Sequence, residues 1–191
     1  MLKIINFFFW MLLIPLGRSQ SAVATPASPV APVAPHSSVA SKVNVLPYAT
    51  GQWRSLLQAQ TQNTSPSNGN HGRANSPIVV HFWGVTCGPC LTEMPQWGRF
   101  VTDNLGYKVV FIQVDDVSTG IMSQLLAKAH LAQAINYKLT SPFDEFMRYE
   151  VDPKWGGETP YTILVNASGQ QTQLNGLVNF GKLRQWYQQN S

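Results

Sequence analysis

The chain has 191 residues, of which 44% are hydrophobic and 12% charged, with a formal net charge of +4. That is enough apolar chain for one modest core once the ends are set aside. The weak positive charge has no Lys/Arg cluster behind it, so nucleic-acid binding is not expected and a slightly basic soluble surface accounts for it.

At the N-terminus, Lys3 precedes an apolar segment over residues 4–16, too short for a comfortable membrane span, and Ala22-Val23-Ala24 offers an A-x-A cleavage site. Residues 1–24 are therefore expected to be an export signal, either removed or retained as a membrane anchor, and no cysteine stands there for lipidation. Residues 25–46 are rich in Ala, Pro, Ser and Val, with Pro26, Pro29, Pro32 and Pro35 at every third position, which favours an extended polyproline-like linker. Such a linker is either a stalk holding a domain off a membrane or a disordered leader, and regular prolines also suit a partner's aromatic groove. The folded domain is expected over residues 47–191.

Within that domain, residues 52–60 read as a short helix with Trp53, Leu56 and Leu57 on one face, expected to cap the sheet edge. Residues 61–76, rich in Asn, Ser and Gly, read as a surface loop that contains His71. The apolar run 78–83 (IVVHFW) predicts a buried strand, residues 88–105 a helix kinked by Pro95, and residues 108–114 (KVVFIQV) a second buried strand. A further helix is expected over 118–129, with Ile121, Met122, Leu125 and Leu126 turned inward. This alternation predicts a parallel strand pair joined by a right-handed crossover. Residues 143–149 suggest a short helix. Strands over 161–165 and 171–174 flank Asn166-Ala167-Ser168-Gly169, a hairpin signal with Gly169 at a positive-φ position. A last helix over 180–188 carries Leu183, Trp186 and Tyr187 at helical spacing. The tripeptides Asn63-Thr64-Ser65 and Asn166-Ala167-Ser168 match glycosylation sequons, which matter only in a eukaryotic secretory route and are read as chance.

The chemistry points to Cys87 and Cys90, the two cysteines of the chain, spaced C-x-x-C where a strand gives way to a helix. With Gly88 onward helical, Cys87 sits at the helix start and Cys90 one turn later on the same face, close enough for a disulfide. Unpaired N–H groups and the positive end of the helix dipole then favour a Cys87 thiolate, so Cys87 attacks and Cys90 resolves. Glu93 follows Cys90 by three residues, on the same side of the helix as the resolving thiol. A partly desolvated carboxylate there can exchange protons with Cys90, the alternative being an exposed helix glutamate. His81 interrupts an otherwise apolar strand; it is either a proton relay near neutral pH or a hydrogen-bonded core histidine. Trp83, Trp97 and Trp155 are candidates to line a substrate groove, with Trp97 expected in the core and Trp155, beside Gly156-Gly157, at the surface.

The run Phe82-Trp83, Cys87-Gly88-Pro89-Cys90 and Glu93-Met94-Pro95, followed later by Thr159-Pro160, resembles the thioredoxin superfamily, over residues 78–189. Its TlpA/ResA branch of envelope thiol-disulfide oxidoreductases is the nearest in character. The resemblance implies an α/β thioredoxin fold, a central mixed sheet with helices on both faces. It also implies that Gly88 and Pro89 shape the redox turn, and that Thr159-Pro160 is a cis pair facing the cysteines, with Thr159 presenting backbone groups to a bound substrate strand. Unaided statistics would favour a trans bond there. The TlpA/ResA likeness places a functional acid at Glu93. Two positions depart from the pattern: His81 stands where thioredoxin has a buried aspartate and TlpA/ResA relatives commonly asparagine, and Thr86 stands where relatives usually show tryptophan.

Magnitudes bear on direction. Lowering a thiol pKa from about 8.5 to about 7, as in thioredoxin, needs roughly 2 kcal/mol, which a favourable helix terminus can supply. Reaching about 3.5, as in the oxidant DsbA, needs roughly 7 kcal/mol, toward which Gly88-Pro89 brings no cation. A reducing or mildly poised couple is expected. His36, His71 and His130 have no metal-ligand spacing to either cysteine, and a copper-delivery protein of the Sco kind would show C-x-x-x-C, so neither metal nor other cofactor is expected. The expected activity is reduction of disulfides in periplasmic proteins, apocytochrome c being one substrate of the family. The protein would be soluble after signal cleavage or anchored to the inner membrane, and recharged by a membrane electron donor of the DsbD/CcdA type. The alternatives are a disulfide oxidase or isomerase, and a non-catalytic thioredoxin-fold assembly module.

Overall fold

Six buried residues in a row, Ile78–Trp83, form the strand that the rest of the molecule is layered on. A strand buried on both faces cannot alternate polar and apolar residues, which is why this stretch reads as a continuous apolar run broken only by His81. In the computed structural model, which describes residues 42–62 and 76–190, it is the second of six strands. The elements run β1 (Val45–Tyr48), α1 (Trp53–Gln62), β2 (Ile78–Trp83), α2 (Gly88–Asp103), β3 (Lys108–Gln113), α3 (Thr119–Lys128), β4 (Ile135–Leu139), α4 (Glu145–Val151), β5 (Tyr161–Val165), β6 (Gln171–Asn175) and α5 (Phe180–Asn190). The expected export signal, the linker up to residue 41 and loop residues 63–75, with His36 and His71, lie outside the described residues. No helix of the described residues is long and apolar enough to cross a membrane.

The sheet is mixed, in the order β1-β4-β3-β2-β5-β6. β1, β4, β3 and β2 are parallel neighbours, and β5 and β6 run antiparallel to complete the other side. The period of two along each strand sorts the core into two layers. Ile78, Val80, Phe82, Val110, Ile112 and Ile163 pack under α1 and α4, against Trp53, Leu56, Met147 and Val151. On the other face Val79, Trp83, Val109 and Phe111 meet Cys90, Met94, Trp97 and Phe100 of α2, Met122 and Leu126 of α3, and Leu183 and Tyr187 of α5. Helices thus cover both faces, and the hairpin turns at Gly169 with φ +84°.

Several local expectations are corrected. α1 packs on β2 in the middle of the sheet, with the Trp53 and Phe82 rings 6.0 Å apart, and so does not cap an edge. Ile121 is 47% exposed while Met122 and Leu126 are buried, so α3 presents a narrower apolar stripe than its composition suggests. α4 begins at Glu145 because Asp144 caps it, its carboxylate accepting from the Met147 N–H at 3.0 Å. β1 and β4 had no strand signal. β1 is a four-residue edge strand containing Pro47, a residue an edge tolerates because its missing N–H is not needed. β4 (INYKL) carries Asn136 into the interior, where its amide donates to the carbonyls of Leu131 and Ala134, both at 2.9 Å. Local hydrogen bonding, invisible to a hydropathy pattern, satisfies the amide nitrogen, while Asn136 Oδ1 is buried with no partner.

α2 approaches the end of α3 at Gly98, where a methyl group would lie 1.8 Å from the Ala129 carbonyl oxygen. Backbone cannot retreat as a side chain can, so Gly98→Ala is expected to lower stability by about 3 kcal/mol and Tm by about 10 °C. Chemical denaturation of the two proteins checks this; an unchanged midpoint would mean the helices can separate at no cost.

Candidate active site

The chain leaves β2 at Trp83, whose carbonyl accepts from the Val114 N–H at 3.0 Å, and turns through Gly84, Val85 and Thr86 into α2. Cys87 is the N-cap, in extended geometry with φ −88° and ψ 104°. Its Sγ accepts from the Cys90 N–H at 3.2 Å, so the sulfur occupies the place a serine or aspartate oxygen takes in ordinary caps. Pro89 lies in the first turn, where a missing N–H leaves nothing unpaired. Cys87 and Cys90 are joined as a disulfide with Cα atoms 5.2 Å apart. The two sulfurs differ in access: Cys87 is half-buried and Cys90 is fully buried, behind exposed Gly88 and Pro89.

The loop before β5 faces this pair. The Thr159-Pro160 bond is cis, and the Thr159 carbonyl oxygen is 3.4 Å from Cys87 Sγ. The Pro160 carbonyl accepts from the Gly176 N–H at 2.9 Å, which ties on the loop after β6. Gly176 takes φ +80°, a conformation that suits glycine.

Beneath α2 lies a buried polar group. Glu93 is 1% exposed, so it is not a solvated helix glutamate. One carboxylate oxygen accepts from Trp97 Nε1–H at 3.0 Å and the other from the Val178 N–H, bolting α2 to the loop after β6. His81 is fully buried; its Nδ1 pairs with the Thr162 hydroxyl at 2.9 Å across the β2–β5 register. Its Nε2 has no hydrogen-bond partner and lies 3.7 Å from Glu93 Oε2. Burial raises the Glu93 carboxyl above its ordinary value, partly offset by the Val178 and Trp97 donors. Burial pushes the His81 imidazole from 6.5 down to about 3. Both groups are driven toward their uncharged forms.

Cys87, Cys90, Gly88, Pro89, Thr159 and Pro160 thus converge at one end of the sheet, with Glu93 and His81 in the layer below. Two tryptophans fall elsewhere than expected. Trp83 is fully buried and packs beneath the cysteines, so it supports the turn and cannot touch a substrate directly. Trp155 is only 5% exposed: it stacks on Tyr161 with ring centroids 4.5 Å apart and donates to the Glu158 carbonyl at 2.8 Å. The glycines beside it suggested a loop surface, but the indole fills the core against Phe82. Asp115, just past β3, was missed. Its carboxylate accepts from the Thr86 N–H at 2.8 Å and the Thr86 hydroxyl at 3.2 Å. The signal available was its place at the C-terminal end of a parallel strand, where α/β sheets build their sites.

Fold and site define a class, the thioredoxin fold carrying a C-x-x-C disulfide at the start of its first helix after a central strand. No family model matches the chain, and no curated protein matches it by sequence. Solved structures do. A thiol:disulfide interchange protein of the thioredoxin family from Chlorobium tepidum superposes with TM-score 0.50 and 18% identity, covering 60% of this chain and 79% of its own. A secreted Mycobacterium tuberculosis disulfide oxidoreductase, homologous to E. coli DsbE, gives TM-score 0.48, 20% identity and coverage of 60% and 81%. A thio-disulfide isomerase from Thermus thermophilus gives TM-score 0.48, 18% identity and coverage of 62% and 82%. At these identities the likeness shows the fold: the chain has the thioredoxin fold.

His81 makes stability depend on pH. The folded protein holds its His81 proton less tightly than the unfolded chain, so this contribution is fully present above about pH 6.5 and is lost as pH falls toward 3. Between pH 7 and pH 5 the wild type should lose about 2 kcal/mol more than His81→Asn. Denaturant titrations at the two pH values measure it; equal losses would show that His81 carries no such linkage.

Proposed function

We propose that the protein is an exported thiol-disulfide oxidoreductase that reduces disulfides in periplasmic proteins through a Cys87/Cys90 cycle. The observation that carries this reading is the pairing of a half-buried sulfur at a helix start with a buried one a turn behind it, facing a backbone carbonyl on the cis-proline loop. In the reduced protein the Cys87 thiolate attacks one sulfur of a substrate disulfide, forming a mixed disulfide and releasing the other substrate sulfur as a thiolate that takes a proton. Cys90 then gives up its proton and attacks the Cys87 sulfur. The second substrate sulfur leaves, and two electrons have passed from the dithiol to the substrate, leaving the Cys87–Cys90 disulfide. In an oxidising compartment the dithiol must be regenerated, and a membrane electron donor of the DsbD/CcdA type is the partner that fits. Envelope proteins with disulfides, apocytochrome c among them, are the substrate class. Signal cleavage or retention decides whether the enzyme is free in the periplasm or held at the inner membrane.

The Cys87/Cys90 reduction potential tests direction. A value near −270 mV, about that of thioredoxin, is expected; one near −120 mV, about that of DsbA, would make the protein an oxidase. Full biological activity in the Cys87→Ser/Cys90→Ser double mutant would instead favour a non-catalytic assembly module.

Glu93 is read as the group that exchanges protons with Cys90, which lies one turn away and is closed to solvent. Glu93→Gln is expected to keep the fold but shift the pH profile of thiol-disulfide exchange. It should also cost about 1–3 kcal/mol, because one amide oxygen replaces two acceptors for the Trp97 and Val178 donors. Superimposable rate profiles for the two proteins would remove the role.

A further inference from the structure

We propose that Asp115 is a positioning residue for Cys87: its carboxylate pins the turn formed by residues 84–86 and, by its charge, restrains ionisation of the adjacent thiol. The turn is short, and Cys87 itself closes it with a long N–H contact of 3.4 Å to the Gly84 carbonyl. Asp115 supplies what that contact lacks. One of its oxygens holds both the N–H and the hydroxyl of Thr86, the residue immediately before the nucleophile. The carboxylate also lies flat against Gly84, where a methyl group would meet its oxygens at 2.7 and 2.9 Å, so only glycine lets it sit there. The Asp115 backbone is fixed in turn, its carbonyl accepting from the buried Gln113 side chain at 2.9 Å and from the Val117 N–H at 3.0 Å. Thr86, where a tryptophan would have been usual, has a hydroxyl of the right length to take the second bond.

The same carboxylate has no cationic partner among the described residues. A negative charge bonded to the residue before Cys87 opposes the helix dipole and favours the protonated thiol. The other titratable groups on elements bordering the site are Glu93 and His81 below α2, Asp116 beside Asp115, Lys138 of β4, which lines the same cleft as Asp115 without forming an ion pair with it, and Glu158 just before Thr159. None of these bonds to Thr86, so Asp115 can be altered without touching them.

The inference rests on Cys87 as the attacking thiol, and its test reads that thiol directly. Alkylation of Cys87 by iodoacetamide is followed against pH in the reduced full chain, for wild type and Asp115→Asn. Asparagine keeps an oxygen for the Thr86 N–H and drops the charge. The midpoint of the profile is expected to fall by ~0.5–1 unit, giving ~3- to 10-fold more thiolate below it. The equilibrium with glutathione should move toward the dithiol by a similar factor, tenfold being about 30 mV. A pin without electrostatic effect would change the unfolding midpoint and leave the profile in place, and superimposed profiles overturn the inference. Should Asp115→Asn not fold, Asp115→Ser is read in the same way. If wild-type Cys87 fails to alkylate at all near neutral pH, the nucleophile assignment itself falls; alkylation with identical profiles removes the role of Asp115 alone.

Discussion

Three residues separate the end of β2 from the cap of α2, and in that space the chain must reverse from a fully buried strand into a helix whose first N–H groups have no intrahelical partners. A sulfur placed at the cap answers that need by accepting from the Cys90 N–H. The same placement puts the sulfur in the positive end of the helix field. On the proposed cycle capping and activation are thus one interaction, and the rest of the site is arranged so that the cap holds. Val114 bonds back to Trp83, Asp115 grips Thr86, and the cis-proline loop brings the Thr159 carbonyl to Cys87 Sγ.

Burial divides the labour between the sulfurs. A thiol must be reached from solvent to begin exchange, and a resolving thiol is better kept from outside oxidants and disulfides. Cys87 half-exposed and Cys90 at 0% exposure meet both conditions from positions three residues apart, because one turn of helix carries the chain from the rim into the layer that packs on β2. On the proposed cycle, protons for a Cys90 closed to solvent come from within the protein. Glu93, His81 and Tyr187 are buried titratable groups on that face, Glu93 being the one a helical turn from Cys90, and Glu93 also fastens the loop after β6 through Val178. A change of proton at Glu93 therefore bears on a loop that is itself tied to Pro160.

Much of this was legible in the residues, and the parts that were not share a physical cause. The strands over 78–83 and 161–165 and the redox helix announced themselves because a central strand is uniformly apolar and C-x-x-C is a rare spacing. β1 and β4 did not, since edge and near-edge strands are stabilised by pairing and local amide bonds instead of by a hydrophobic pattern. The cis state of the Thr159-Pro160 bond was implied by family likeness and not by the dipeptide. Trp155 and Asp115 were misplaced or missed because their environment is assembled from distant segments: the Trp155 indole meets Phe82, and the Asp115 carboxylate meets Thr86, 29 positions earlier. Single-sequence periodicity contains no information about such meetings.

The electrostatic balance at Cys87 can be followed from these contacts. The helix start favours the thiolate by at most about 2 kcal/mol in partly buried geometry. In the polar layer below, burial raises the Glu93 carboxyl against the pull of its Val178 and Trp97 donors and keeps His81 neutral, so that layer supplies no cation to favour the thiolate. Asp115 acts against the thiolate, and no cation among the described residues pairs with it. A strongly oxidising dithiol requires its thiolate to be stabilised by roughly 7 kcal/mol, and nothing in this arrangement approaches that sum. That balance is what the proposed reductase cycle asks of the couple, and it is in that direction that an external electron supply would be a requirement of function.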